Sequence, residues 1–462
     1  MQKIALIVFM VCLLLISCGK EEEAVKQSPE NNMLAKTTQP SEAYLLSMLN
    51  CIEFTGSHIG DMADAANEAA KRLISGGRLF ITDDESLGLS GEDHERISEA
   101  GVAYTIHENS GGFVAEACDR AGGFAAIKPL PADWQVSAND VVLIGTLDLA
   151  PDQQVKQIAD LKESGALVIL IGSRKSHSAS SAHYLIDNGL GVGMSYTMKM
   201  NGIENGPIAG AANIFNMWTF SAELVGAFTR LGKMPTHWQS MFVPGAEARN
   251  ERIGKSAFEL EITVDPVPSG ELGGQYVKAI RGYLENIRDN ELPKIAEAGK
   301  LCAATISQGN EVVCWLIGHF MTSQERMPGF PAIFKNLEHT NIPEQVEEHL
   351  DSSDVFLHIG YSYYPEQVLQ RIREIGAKTV CVMTPGPKIS GEGEPEQPDM
   401  SLIDILIDPY WKHGDAAVEV PGYDTKIIPP SGVVMVTCYW MILIETQAAS
   451  VTSVTYTYDA AK

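Results

Sequence analysis

The feature that most narrows what this chain can fold into is that its two halves carry the same string of signals in the same order. Such repetition marks a duplicated unit, so the fold of one half constrains the fold of the other. In the first half a helical pattern over residues 63–73 ends at Ile74-Ser75-Gly76-Gly77 and leads into an apolar run at 78–81. In the second, residues 294–305 end at Ile306-Ser307-Gln308-Gly309 before the run at 311–317. Glycine recurs at these ends because it readily takes the left-handed conformation that closes a helix. Next come Asp140-Val-Val-Leu-Ile-Gly145 and Asp354-Val-Phe-Leu-His-Ile-Gly360, apolar enough to be strands buried on both faces. Each is followed by a proline at a helix start (Pro151, Pro365), a Gly-Ala helix end (Gly165-Ala166, Gly376-Ala377) and another apolar run (167–171, 379–383). Tyr184-Leu-Ile-Asp187 then parallels Ile405-Leu-Ile-Asp408, each leading to a glycine (Gly193, Gly414) and an apolar helix at 211–228 or 433–445.

Strands that alternate with helices and are apolar along their length form parallel sheets covered on both sides, joined by right-handed crossovers. The fold class is therefore α/β, with two three-layer αβα sandwiches of mainly parallel sheets over residues 43–268 and 269–462. The boundary falls in Asp265-Pro-Val-Pro-Ser-Gly270, and Gly273-Gly274 just beyond it extends a turn or linker composition. Residues 86–100 read as an insertion in the first copy, and residues 450–458 alternate like a strand whose partner the sequence does not identify.

Ahead of the duplication, Lys3, an apolar run at 4–16 and Leu15-Ile16-Ser17-Cys18-Gly19 have the order of a secretory signal. The run is shorter than the roughly twenty residues a spanning helix needs, and Lys20-Glu-Glu-Glu23 follows at once. This stretch resembles the lipobox of bacterial lipoproteins. That resemblance implies a signal peptide over residues 1–18, cleavage before Cys18, a lipid on its thiol and an extracytoplasmic protein of the cell envelope anchored to a membrane. Residues 19–42, poor in large apolar groups, read as the tether. The 59 acidic residues outnumber the 34 basic ones, and no basic cluster follows the signal, which argues against nucleic acid as a partner. Cys51, Cys118, Cys302, Cys314, Cys381 and Cys438 show no metal-ligand spacing and read as buried small hydrophobes, so neither a metal nor a cofactor is implied.

The second copy resembles the sugar isomerase (SIS) domain, a phosphosugar-binding αβα module, over residues 294–320, 354–384 and 404–445, including His413-Gly414-Asp415-Ala416 and Val420-Pro421-Gly422. The first copy is more divergent but keeps Glu116-Ala-Cys-Asp-Arg120-Ala-Gly-Gly123. The resemblance implies a sugar derivative or phosphosugar held by hydroxyls and backbone N–H groups in loops leaving the carboxyl ends of strands. A helix amino terminus there presents unpaired donors and the positive end of its dipole. Carried onto this chain, it points to Gly318, His319 and Ser323 in one loop of the second copy, Gly360 and Ser362 in the next, then Thr384 and His413. In the first copy Ser110, Gly111 and Gly112 are candidates for an anion-binding nest. The family's second loop reads Ser-x-Ser-Gly. Here Gly360-Tyr361-Ser362-Tyr363 keeps one hydroxyl and loses the glycine, while Gly145-Thr146-Leu147-Asp148 brings a carboxylate that repels phosphate, so the sites read as degenerate. Arg174-Lys175-Ser176-His177 reads either as an anion-holding loop or as a solvated turn.

Three functions stay open at this point. One is binding of a sugar derivative; a second is an isomerase in which Glu419 or Glu116 moves a proton between neighbouring carbons. The third is an assembly lipoprotein whose copies pack on one another or on another chain. Because SIS domains often pair through their helices, the resemblance implies an intramolecular pseudo-dimer and leaves a homo-oligomer open. Fold alone does not choose among these.

Overall fold

The computed structural model describes residues 39–84, 113–118, 120–131, 135–254, 256–317, 333–337, 341–360, 364–385, 399–412 and 414–456. The first copy opens with α1 (Pro40–Ser57) and α2 (Ile59–Ile74), then β1 (Leu79–Asp83), α3 (Phe113–Ala117), β2 (Lys128–Pro129), β3 (Val141–Gly145), α4 (Pro151–Glu163), β4 (Leu167–Gly172) and β5 (Tyr184–Asp187). These strands pair in parallel in the order β2-β1-β3-β4-β5. A hairpin of β6 (Tyr196–Met200) and β7 (Ile203–Pro207) follows, turning at Asn201 and Gly202, which both hold positive φ as a tight hairpin turn requires. The copy ends with the long helix α5 (Ala209–Arg230) and α6 (Ala246–Ile253).

The second copy repeats the plan with α7 (Glu271–Asn290), α8 (Leu292–Ser307), β8 (Val312–Leu316), β9 (Lys335–Asn336), α9 (Ile342–His349), β10 (Val355–Ile359), α10 (Glu366–Ile375), β11 (Lys378–Val382), β12 (Ile405–Ile407) and α11 (Ser431–Ala448). Its parallel sheet runs β9-β8-β10-β11-β12, the same order as the first. The architecture is therefore the expected pair of α/β sandwiches. The repeat is visible in single side chains. Asp140 accepts the amides of Arg78 and Ser137, each at 2.7 Å, and Asp354 accepts those of Glu311 and Asp351, each at 2.8 Å. In each copy one carboxylate thus ties the start of the central strand to its neighbour.

The halves interlock. Helices α2 and α8 pack on the last long helix of their own copy, α5 and α11, whereas α1 packs on α11 of the second copy and α7 on α5 of the first. A buried glutamate seals each exchange: Glu445 on α11 accepts the Ser41 amide of α1 at 2.9 Å, and Glu223 on α5 accepts the amides of Gly270 and Gly273 at 2.8 Å each. A carboxylate there meets the unpaired donors and positive end of the helix. A matched pair of tyrosines completes the symmetry, Tyr44 donating to the Pro207 carbonyl and Tyr276 to that of Pro429, both at 3.0 Å. One continuous apolar core runs through both copies, so the chain is a pseudo-dimer.

Several boundaries differ from the sequence reading. Helix α1 begins at Pro40, inside the stretch assigned to the tether. Gly273-Gly274 are not linker but lie in the first turns of α7. There, a side chain at 273 would come within 2.9 Å of the Glu223 carboxylate, so close approach rather than flexibility accounts for that glycine. Within 450–458, β13 (Val454–Tyr456) crosses back to pair antiparallel with β6 of the first copy. Helix α11 is long and apolar enough to cross a bilayer, yet α1 and α8 cover it. The insertion at 86–100 lies outside the described residues.

Candidate functional site

Of the candidate residues, Glu116, Glu419, Gly360 and Thr384 are described; Cys18, Ser110, Gly111, Gly112, Gly318, His319, Ser323, Ser362 and His413 lie outside the described residues. The two glutamates proposed as bases are not brought together. Glu419 is 73% exposed, its carboxylate 3.6 Å from Lys426, and its amide donates to Gln275 at 3.0 Å. A carboxylate standing in water has no walls to orient a sugar against it.

Glu116, on α3, is fully buried. It accepts the Trp218 indole N–H at 3.0 Å and lies 3.3 Å from the Arg120 guanidinium, which reaches across the copies to Asp415 at 3.0 Å and to the Ser431 hydroxyl. Asp415 in turn accepts both the amide and the hydroxyl of Ser431, at 3.0 and 2.9 Å. Two carboxylates thus share one buried guanidinium across the pseudo-dimer. Burial raises the Glu116 carboxyl to about 7, against the lowering effect of Arg120 and with a further raising effect from Asp415. Gly432 closes the remaining side, since a β-carbon there would sit 2.0 Å from the Glu116 carboxylate. Glu116 is therefore held between the copies and enclosed by packed groups. Both quoted motifs supplied members of this network, but nothing in the sequence paired them.

The loop between β3 and α4 is the place where the resemblance set a phosphate in the first copy. It already holds an anion from the same chain. Asp84, 2% exposed and directly after β1, accepts the Leu147 amide at 3.0 and 3.1 Å, the Leu149 amide at 2.8 Å and the Thr146 hydroxyl at 3.2 Å. Burial raises its carboxyl to about 6, opposed by those amides. Asp148, expected to face the ligand, is turned aside instead: it accepts the His177 amide at 3.0 Å and meets its ring at 2.7 Å, which raises the imidazole's pKa. Arg174 is held by Asp187 through its guanidinium and, at 3.0 Å, its amide. The 174–177 segment is thus a turn whose Arg174 and His177 are matched by carboxylates of the same copy. Sequence reasoning missed Asp84, whose one signal was an acidic pair, Asp83-Asp84, ending an apolar run.

In the second copy Gly360 follows β10, and its amide donates to the Val382 carbonyl at 3.0 Å as the Thr146 amide donates to Ile171 at 2.9 Å. Gly360 therefore matches Thr146, one step away from the Gly145 equivalence that the sequence suggests. It is glycine for a steric reason: a β-carbon would lie 2.2 Å from Nε2 of His358, a buried ring whose Nδ1 lies 3.1 Å from the Trp315 carbonyl. Burial lowers this histidine to about 4, so it is neutral. Thr384 donates its hydroxyl to the Trp411 carbonyl at 2.8 Å. The position matching Asp84 is Ile317, because the amides of both extend the ladder to the central strand, Asp84 to Gly145 and Ile317 to Ile359. No carboxylate stands there in the second copy.

No family model matches the sequence, and no curated protein is similar to it. Among solved structures, the chain is similar to the C-terminal domain of glucosamine-fructose-6-phosphate aminotransferase from Francisella tularensis, at 10% identity over 88% of this chain and 95% of that one, with a TM-score of 0.44. It is also similar to a phosphoheptose isomerase from Francisella tularensis, at 17% identity over 38% of this chain and 97% of that one, with a TM-score of 0.26. Likeness at these levels transfers no activity, and the fold assignment rests on the chain's own strand pairings.

Proposed function

We propose that the chain is a lipid-anchored envelope protein that binds an anionic sugar derivative of the phosphosugar class, and that its ligand loop is the one between β10 and α10 of the second copy. The observation that carries this reading is the contrast between Asp84 and Ile317. In the first copy the loop entering α4 gathers a carboxylate on its own amides, as the donors at a helix start can. In the second copy the residue at the same ladder position is Ile317, which brings no carboxylate to that position. Ser362, Gly360, His319, Ser323 and Thr384 are the side chains and backbone assigned to that ligand, with His413 from the next strand end. Cys18 would carry the lipid, placing the sandwiches outside the cytoplasm on a tether that ends at Pro40. Binding is favoured over isomerisation because Glu116 is enclosed and Glu419 stands in solvent.

Titration of purified residues 39–462 with glucose 6-phosphate, glucosamine 6-phosphate and uncharged hexoses tests this. Saturable heat with the phosphorylated sugars, lost on Ser362→Ala, is expected. A protein that melts at the same temperature with and without every sugar on that panel would end the reading. Radiolabelled palmitate incorporation that Cys18→Ser abolishes is the corresponding test of the anchor.

A further inference from the structure

We propose that a cavity at the β5 edge of the first copy binds a small zwitterion, an α-amino acid with an apolar side chain. The cavity has a volume of about 280 Å³ and lies where the α1–α2 junction meets β5 and the turn after β4. Because β5 is two strands from β3, the cavity is separate from the loop on which Asp84 sits. Met62, Leu185 and Ile186 give it an apolar lining, and Arg174 and Asp61 bring opposite charges to it. Arg174 is held from one side. Its amide donates to Asp187 Oδ1 at 3.0 Å, its Nε donates to Oδ2, and its guanidinium carbon lies 5.9 Å from the centre of the Phe54 ring. Its two terminal nitrogens make no hydrogen bond among the described residues, which leaves a planar fork suited to a carboxylate. Asp61 is exposed and makes no ion pair among the described residues. A zwitterion answers both charges at once, its carboxylate on Arg174 and its ammonium on Asp61, with its side chain over the apolar lining. An anion would meet two carboxylates there, Asp61 and Asp187, and an uncharged sugar would leave both charges unanswered.

The second copy shows that the scaffold does not require this pair of charges. Asp187 accepts the Gly189 amide at 3.2 Å, and Asp408 accepts that of Tyr410 at 2.7 Å, with Gly189 and Tyr410 both at positive φ. His58 and Glu291 each stand between the first two helices of their copy, so Lys294 takes the place of Asp61. Ile171 and Val382 accept matching ladder bonds, so Pro385 takes the place of Arg174. In the second copy the side chains at these positions satisfy one another. The Tyr410 hydroxyl donates to Glu291 at 3.0 Å, and Glu291, 3% exposed, also meets the Lys294 ammonium at 2.8 Å. Gly189 supplies no such plug in the first copy, where a β-carbon would lie 2.7 Å from the Phe54 ring. The same corner of the fold is therefore closed by its own side chains in one copy, and in the other is open and lined by a carboxylate and a guanidinium fork. This assignment stands on described residues alone and does not depend on what the second-copy loop binds.

The experiment is calorimetric titration of the full chain with L-leucine, with isoamylamine, which lacks the carboxylate, and with isocaproate, which lacks the ammonium. One leucine per chain at saturation is expected, with the amine and the acid each weaker by about tenfold or more. Arg174→Gln should remove the preference for leucine over the amine, and Asp61→Asn the preference for leucine over the acid. Both side chains are exposed, so both variants should melt close to the parent. No saturation by leucine up to about 10 mM, or equal binding of leucine and isoamylamine by the parent, overturns the proposal. Leucine binding that both substitutions leave unchanged overturns it as well. Ser362→Ala separates this cavity from the second-copy loop: leucine binding that persists in that variant supports the cavity, and leucine binding lost with it counts against the cavity. A chain that takes up leucine but no phosphorylated sugar would support this site while sinking the second-copy reading.

Discussion

At the scale of residues, part of the buried charge is placed where the copies meet. Glu116 and Asp415 share Arg120, so ionising both leaves a net negative charge out of water. The resulting pH dependence has a definite sign. With its carboxyl raised from 4.5 to about 7, Glu116 holds its proton more tightly folded than unfolded; the associated stability is fully present below pH 4.5 and is lost as pH rises through 7. Buried histidines titrate in the opposite sense over part of this range, with His237 lowered to about 3. The informative quantity is therefore the difference between the parent and Glu116→Gln, in which other titrations cancel. Chemical denaturation at pH 5 and pH 8 should show the parent losing about 3 kcal/mol relative to the variant. A difference that stays constant with pH would mean that Glu116 is ionised in the folded chain throughout. Gly360→Ala is a second residue-scale prediction: its β-carbon would press on His358, so circular dichroism melts should show a loss of several °C or more.

At the scale of elements, most of what the sequence disclosed was periodic and most of what it concealed was an exchange between copies. The strands at 141–145 and 355–359 and the helices that follow were legible because apolar runs, prolines and terminal glycines are local signals. Helices α1 and α7 were not recognised, since α1 is buried along most of its length and so lacks a one-sided stripe, and α7 opens on the two glycines that resemble a linker. The hairpin of β6 and β7 and its third strand β13 join residues more than 250 positions apart, a pairing that no local pattern encodes. The site was partly legible for the same reason. A loop sequence shows which hydroxyls it carries, but not that Asp84, some sixty positions earlier, lies on its amides. The exchanged helices give a prediction at this scale. Glu223→Ala strips one buried and one half-buried amide of their acceptor and should cost about 3 kcal/mol in urea unfolding, whereas Glu445→Ala, which frees one, should cost about half that. Equal and negligible losses would show that the glutamates do not hold the exchanged helices.

At the scale of the whole molecule, reciprocal packing of α1 on α11 and of α7 on α5 makes each copy incomplete without the other. The continuous core and the return of β13 to the first copy reinforce this. Calorimetry should accordingly record one cooperative transition, and two separable ones would mean that the copies fold as independent domains. Inside this joint frame the copies differ at the ladder position after the first strand, with Asp84 on the first loop's amides and Ile317 at the matching place in the second copy. The most direct measurement of that asymmetry is the number of glucosamine 6-phosphate molecules bound per chain at saturation, by equilibrium dialysis of the parent and of Ser362→Ala. One molecule per parent chain and none per variant chain is the predicted result; two per parent chain, or one that persists after Ser362→Ala, would contradict it.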